Sequence, residues 1–210
     1  RILWSFSAAS NHLQTNEYKA LCDRSFQYLQ QYFRDEKYGG VYWELNYQGK
    51  PVNVRKQVYA QAFMIYALSE YFIFSKNPLA LQWALEIYGL IEKYANDRKF
   101  GGYTEAFARD WSNIDDMRLS EKDANEAKTM NTHLHVLEAY TNLYRVHREK
   151  ALENQLRFLI EKFLNTFYDK KTKHFNLFFN EQWQVKGQII SYGDDIEAAR
   201  LLIEAAKGIQ

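Results

Sequence analysis

The sequence predicts an all-α chain of stacked helical hairpins joined by short β-hairpin loops. Three observations carry that expectation. Apolar and aromatic residues recur at helical spacing over long stretches. Prolines number only two, Pro51 and Pro78, and both fall in turns. A turn motif repeats: Asp35-Glu36-Lys37-Tyr38-Gly39-Gly40-Val41-Tyr42 returns as Asp97-Arg98-Lys99-Phe100-Gly101-Gly102-Tyr103-Thr104, and more weakly as Asp169-Lys170-Lys171-Thr172-Lys173-His174-Phe175. The spacing between copies holds two helices plus connections, as in a helical-hairpin array. Three such units cover the chain, and a closed ring would need more.

Taken in order, helices are expected at roughly 15–34, 53–75, 78–96, 128–147, 149–167 and 194–207. Those at 15–34, 78–96 and 149–167 are rich in Tyr, Phe and Leu, and each leads into a copy of the turn motif. The helix at 53–75 carries Tyr59, Phe63 and Tyr66 at helical spacing, a stripe that usually faces a core. Asn77-Pro78 reads as an N-cap followed by proline at the first helical position. The helix at 128–147 places Asn131, His135, Glu138 and Asn142 on one stripe, with Met130, Leu134, Leu137 and Tyr144 beside them. By its composition the polar stripe reads as a solvated face. The last helix opens with Asp194, Asp195 and Glu197. Acids there also satisfy free N–H groups and the macrodipole. Short extended pieces are expected at 40–45, 102–107, 175–178 and 183–185, the first forming a small hairpin with the segment after it.

Composition narrows the function. A formal net charge of +1 leaves no footprint for nucleic acid or an anionic membrane. No apolar run is long enough to span a bilayer. The single cysteine, Cys22, excludes an internal disulfide framework and suits a reducing, cytoplasmic setting. Aromatics make up 17% of the chain, enough to pack large helical cores and to line a sugar site. The chain starts at Arg1 with the core-like Ile2-Leu3-Trp4-Ser5-Phe6. It breaks off after Ala205-Ala206-Lys207-Gly208. Residues 1–210 are therefore expected to be one domain, a central piece of a longer protein, and monomeric.

Four constellations could carry chemistry. Asn131, His135 and Glu138 set a histidine between an amide and a carboxylate, which can hold one tautomer and move protons near neutral pH. Asp194 and Glu197 share a helix face. Tyr59, Phe63 and Tyr66 form the aromatic stripe. Asp123 lies in the polar loop Ser120-Glu121-Lys122-Asp123-Ala124-Asn125-Glu126, which reads as solvated by default. No metal pattern emerges, since His133 and His135 point apart on a helix and no Cys pair or calcium loop exists. No phosphate-binding glycine loop or nucleophile elbow appears.

The string Asp116-Met117-Arg118-Leu119-Ser120-Glu121-Lys122-Asp123, then Met130-Asn131-Thr132-His133-Leu134-His135, then Tyr192-Gly193 with Asp195-Ile196-Glu197, resembles the cellobiose 2-epimerases of the N-acylglucosamine 2-epimerase superfamily. Arg1-Ile2-Leu3-Trp4-Ser5-Phe6-Ser7 and Lys56-Gln57-Val58-Tyr59-Ala60 are similar as well. The resemblance covers this whole chain but about the middle half of such an enzyme. It implies part of an (α/α)6 barrel and reversible inversion at C2 of a reducing-end sugar, with no metal or nucleotide cofactor. It further implies that Arg1 sits at the C1 and C2 oxygens, that Tyr59, Asp123 and Asn131 contact the small sugar substrate, that His135 moves protons, and that Glu197 supports the site. That chemistry fits the residue types. Removing the C2 proton of an open-chain aldose gives an enediolate, whose charge needs a preorganised donor. An arginine fork suits two adjacent oxygens.

One position departs from the family pattern. Asp194 stands where the family has a histidine that serves as one of two acid/base groups, the other lying beyond Gln210. Ordinary Asp and His differ by about 2.6 pH units, roughly 3.5 kcal/mol in proton affinity. Little or no epimerase activity is therefore expected of this polypeptide. Two other readings stay open. One is a glycoside hydrolase on a helical toroid using Asp194 and Glu105, whose carboxyls would lie about 6.5–9.5 Å apart for inversion. The other is a non-catalytic carbohydrate-binding scaffold. Exposed edges of an incomplete ring would favour aggregation.

Overall fold

The computed structural model describes residues 1–210. It contains seven helices: α1 (Ile2–Leu13), α2 (Lys19–Tyr28), α3 (Val58–Ser75), α4 (Pro78–Leu90), α5 (Met130–Tyr144), α6 (Lys150–Lys162) and α7 (Tyr192–Gly208). Helices α1, α3, α5 and α7 pack side by side, and α2, α4 and α6 lie against them on the outside. This is an arc of an α/α toroid with four inner and three outer helices. Asn77 caps α4 as its sequence implies, its side chain accepting the Leu79 N–H at 3.1 Å with Pro78 in the first turn.

Each outer helix ends in one π-helical turn, at Leu29–Phe33, Ile91–Ala95 and Phe163–Phe167. The chain then crosses an isolated bridge, Arg34 to Val41, Asn96 to Tyr103 and Tyr168 to Phe175. Between bridge residues lies the repeated turn. In all three copies the Asp carbonyl accepts an N–H four residues on at 2.8 Å, from Gly39, Gly101 and Lys173. That donor sits in the left-handed region, at φ 72°, 75° and 68°. Glycine takes this conformation without steric cost, and Lys173 takes it against its preference. The weak third copy therefore keeps the same backbone bonds, with one residue at positive φ where the other copies have two glycines.

Four expectations need correction. Residues 2–13 form a helix, although no helix was expected before residue 15. Residues 53–57 and 128–129 are extended, not helical. They form β2 (Pro51–Asn53), β3 (Lys56–Gln57) and β5 (Lys128–Thr129), with β1 (Glu44–Leu45), β4 (Ala106–Phe107), β6 (Phe178–Phe179) and β7 (Val185–Lys186) as partners. All pairs are antiparallel, β1 with β2, β3 with β4, β5 with β6, and β6 with β7. The cause is tertiary. β3 and β5 each pair with the loop of the following unit, while Lys56 and Lys128 reach back to Asp35 (2.8 Å) and Asp97 (2.6 Å) of the preceding turns. Burial works against ionising Asp35, but the Arg109 and Lys56 hydrogen bonds outweigh it and hold the carboxyl well below its usual range.

The fourth correction concerns α5, whose polar stripe is not solvated. Every residue of α5 except Asn131 is buried. Each of its buried polar side chains has a hydrogen-bond partner, as burial requires. Asn142 donates to the Tyr66 carbonyl and Glu70. The Tyr140 hydroxyl donates to Glu92 at 2.7 Å. Thr141 donates to the Leu137 carbonyl. Outer helix α6 is the simpler amphipathic case, burying Leu152, Leu156 and Leu159 at about 2 kcal/mol of stabilisation each.

Candidate active site

Gln57, Thr129 and Ser191 are the residues that precede α3, α5 and α7. Counting from them, the three helices present matching side chains. Four residues on, Gln61, His133 and Asp195 accept the backbone N–H that follows the repeated turn, from Val41 (2.8 Å), Tyr103 (2.9 Å) and Phe175 (2.9 Å). These residues lock turn to helix. His133 also meets the Thr129 carbonyl through Nδ1 at 2.7 Å, so both ring nitrogens are engaged and the imidazole is neutral. Burial pulls its pKa down to about 3. His133 is thus a structural histidine, pointing away from His135.

Six residues on lie Phe63, His135 and Glu197, and nine on lie Tyr66, Glu138 and Arg200. All six line a cleft of about 190 Å³, together with Arg1, Trp4 and Ser5 at the start of α1. The inner helices thus supply two stacked layers, Arg1/Phe63/His135/Glu197 and Trp4/Tyr66/Glu138/Arg200. The guanidinium of Arg1 lies 4.7 Å from the centre of the Phe63 ring and donates to the Tyr59 hydroxyl at 2.9 Å. His135 packs between Tyr59 and Phe63, at ring-centre distances of 4.9 and 4.6 Å. Its Nδ1 lies 3.0 Å from Glu138 Oε2. A carboxylate accepts only, so Nδ1 carries a proton, and in the neutral ring Nε2 keeps its lone pair. Trp4 stacks on Tyr66 at 4.9 Å. Burial, then the charge of Glu138, raises the Tyr66 phenol and keeps it protonated.

A second cavity of about 170 Å³ is lined by Glu105, Asp123, Asn131 and Asp194, among others. Asn131 is one turn of α5 before His135, and Asp194 one turn of α7 before Glu197, so the same two helices line both cavities. Its floor is Glu105. That carboxylate accepts the hydroxyls of Thr129 (2.8 Å) and Thr132 (2.5 Å) and has no cation partner. Burial raises its pKa to about 7, opposed by the Thr132 and Thr129 hydroxyls and assisted by the charge of Asp123.

Arg1, His135 and Glu197 therefore share one cleft, which Tyr59 joins through its contacts to Arg1 and His135. Asp123, Asn131 and Asp194 share the other. The aromatic stripe of α3 faces this site instead of an ordinary core. Of the paired acids on α7, Asp195 is committed to His174 (2.6 Å) and the Phe175 N–H. Asp194 faces the cavity. Sequence reasoning missed Trp4 and Arg200. The signal was the repeat itself, counted from helix starts instead of turns. No group of three or more His, Cys, Asp or Glu side chains is arranged to hold a metal ion.

Comparison with known proteins agrees with this architecture. The chain is 52% identical over 207 residues to a cellobiose 2-epimerase of Bacteroides fragilis, covering 99% of this chain and 53% of that protein. It is 38% identical over 209 residues to a cellobiose 2-epimerase of Dictyoglomus turgidum, covering 100% and 53%. The solved structure of a cellobiose 2-epimerase from Bacillus thermoamylovorans superposes with a TM-score of 0.95 at 41% identity, over 99% of this chain and 54% of that one. A D-mannose isomerase superposes with a TM-score of 0.83 at 22% identity and shares the fold. The chain spans about half the length of the curated relatives it matches. Residues 1–210 match the N-acylglucosamine 2-epimerase (GlcNAc 2-epimerase) family over their full extent, and the chain belongs to that family.

Proposed function

We propose that this chain carries part of the catalytic site of a sugar 2-epimerase. The proposed enzyme inverts C2 at the reducing end of β-1,4-disaccharides of the cellobiose or mannobiose type through an enediolate. The observation that carries the reading is the convergence of Arg1, Tyr59, His135 and Glu197 from four inner helices on one cleft. In this reading Arg1 braces the oxygens on C1 and C2, where charge develops. His135 moves protons through Nε2, its tautomer held by Glu138. Tyr59, Asp123 and Asn131 hold sugar hydroxyls, and Glu197 supports the site. Asp194 occupies the second acid/base position, where an ordinary carboxyl rarely holds a proton to donate at pH 7. The proposed setting is cytoplasmic and the proposed state monomeric. No helix of the chain is long and apolar enough to cross a membrane.

The test is deuterium incorporation at C2 of cellobiose and mannobiose in D2O. Exchange should be at or near background for the chain as it stands. It should rise when Asp194→His is combined with the C-terminal half of a relative, and fall again on adding His135→Ala. An active Asp194 chain would refute the role given to residue 194. An inactive completed Asp194→His protein would refute the epimerase reading. One observation favours a hydrolase instead: Glu105 and Asp194 line one cavity, and burial raises Glu105 into the range of a general acid. Release of free glucose or mannose without C2 exchange would select that reading.

A further inference from the structure

The lower of the two layers contains a charged pair that the proposed chemistry does not use directly. Arg200 of α7 lies 3.7 Å from Glu138 Oε1, while the other oxygen of that carboxylate meets His135 Nδ1 at 3.0 Å. Glu138 is nearly buried, its side chain 9% exposed, and His135 is 6% exposed. A buried carboxylate held by one imidazole alone is under-neutralised and free to turn toward other donors. One donor competes for it, the Tyr66 hydroxyl, which feels its charge. Arg200 is itself steadied by Glu204, one turn on, at 3.1 Å. The chain Glu204–Arg200–Glu138–His135 thus runs from the surface of α7 into the cleft, across the junction of two inner helices.

We propose that Arg200 is a positioning residue: by occupying one oxygen of Glu138 it fixes the other on Nδ1 of His135, and so selects the tautomer that leaves Nε2 free. The proposal rests on the reading of His135 as the proton-moving group. Its physical content is tested on the tautomer itself, which does not depend on turnover. Carboxylate partners set which imidazole nitrogen carries the proton, and a carboxylate with its own anchor does so uniquely.

The measurement is the ¹⁵N shift pattern of the imidazoles in this 210-residue chain, in which protonated and lone-pair nitrogens are well separated. Wild type should show His135 with Nδ1 protonated and Nε2 bare. Arg200→Met should lose that single pattern, with an Nε2–H form appearing, and Arg200→Lys should restore it. His133 serves as internal reference, because its two partners, Thr129 and Tyr103, are remote from Arg200. If Arg200→Met disturbs His133, the milder Arg200→Gln reads the same question. An unchanged His135 in either variant, with the pattern lost in Glu138→Ala, overturns the role of Arg200 and leaves the Glu138 pairing intact. An unchanged pattern in Glu138→Ala as well overturns the role of Glu138 in setting the tautomer, and a wild-type pattern with Nδ1 bare overturns the tautomer assignment on which the proposed chemistry of His135 depends.

Discussion

Replacing Glu105 by glutamine removes a titration that runs against the stability of the fold, and the effect is measurable as a difference. In the folded chain Glu105 keeps its proton up to about pH 7, because burial penalises the charged form more than two threonine hydroxyls repay. In the unfolded chain the ordinary value of 4.5 applies. Between the two, the folded state holds more protons, so stability falls as pH rises. The span from 4.5 to about 7 corresponds to about 3 kcal/mol. Glutamine has the same shape and no proton to lose. Its amide can accept from one threonine and donate to the other. Urea unfolding of both proteins from pH 4 to pH 8 gives the difference directly. Wild type minus variant should drop by about 3 kcal/mol across that range, most steeply between about 5 and 7. Taking the difference matters, because His133 titrates with the opposite sign over part of the window and flattens the wild-type curve. A difference that stays level across the range would refute the assignment of a buried, cation-free carboxyl at this position.

Two further outcomes follow from the same geometry. His133 titrates near 3 when folded and 6.5 when unfolded, so wild type should lose about 5 kcal/mol relative to His133→Gln as pH falls through that interval; parallel curves in urea would contradict the buried neutral imidazole. Gly193 occupies the helix position matching Tyr59 and Asn131, and a Cβ built there meets nothing within 4 Å. Gly193→Ala should therefore stabilise the chain by about 0.5–1 kcal/mol.

The sequence made the turn motif and the outer helices legible because those are local. A glycine pair after an aromatic helix has one economical conformation, and the same backbone bonds recur at Asp35, Asp97 and Asp169. What stayed hidden was set by partners far along the chain. Lys56 and Lys128 looked like helix residues because nothing nearby shows that each answers an aspartate in the preceding turn. The depth of burial of α5 was hidden because the acceptors for its Asn142, Tyr140 and Thr132, namely Glu70, Glu92 and Glu105, arrive from α3, from the π turn after α4 and from a loop. Helix α1 escaped because Arg1 offers no side-chain cap. The candidate site residues were found through their resemblance to a family. Their grouping into two layers follows instead from the internal repeat.

That grouping also separates the two acids that open α7. Asp194 and Asp195 are adjacent acids in the first turn of α7, yet their duties are separate. Asp195 takes the same register as Gln61 and His133, and accepts His174 Nδ1 and the Phe175 N–H. Asp194 contributes its backbone N–H to Ser191 Oγ and turns its carboxylate to the cavity. Asp194→His should therefore lose only the favourable interaction of an acid with the helix start, about 0.3–1 kcal/mol. Asp195→Ala, which orphans a half-buried N–H and a histidine partner, should lose about 2 kcal/mol or more. Thermal or urea unfolding of the two variants separates them. Equal losses would mean that residue 194 is also a structural brace, and the position proposed for the second acid/base group would then be constrained by the fold.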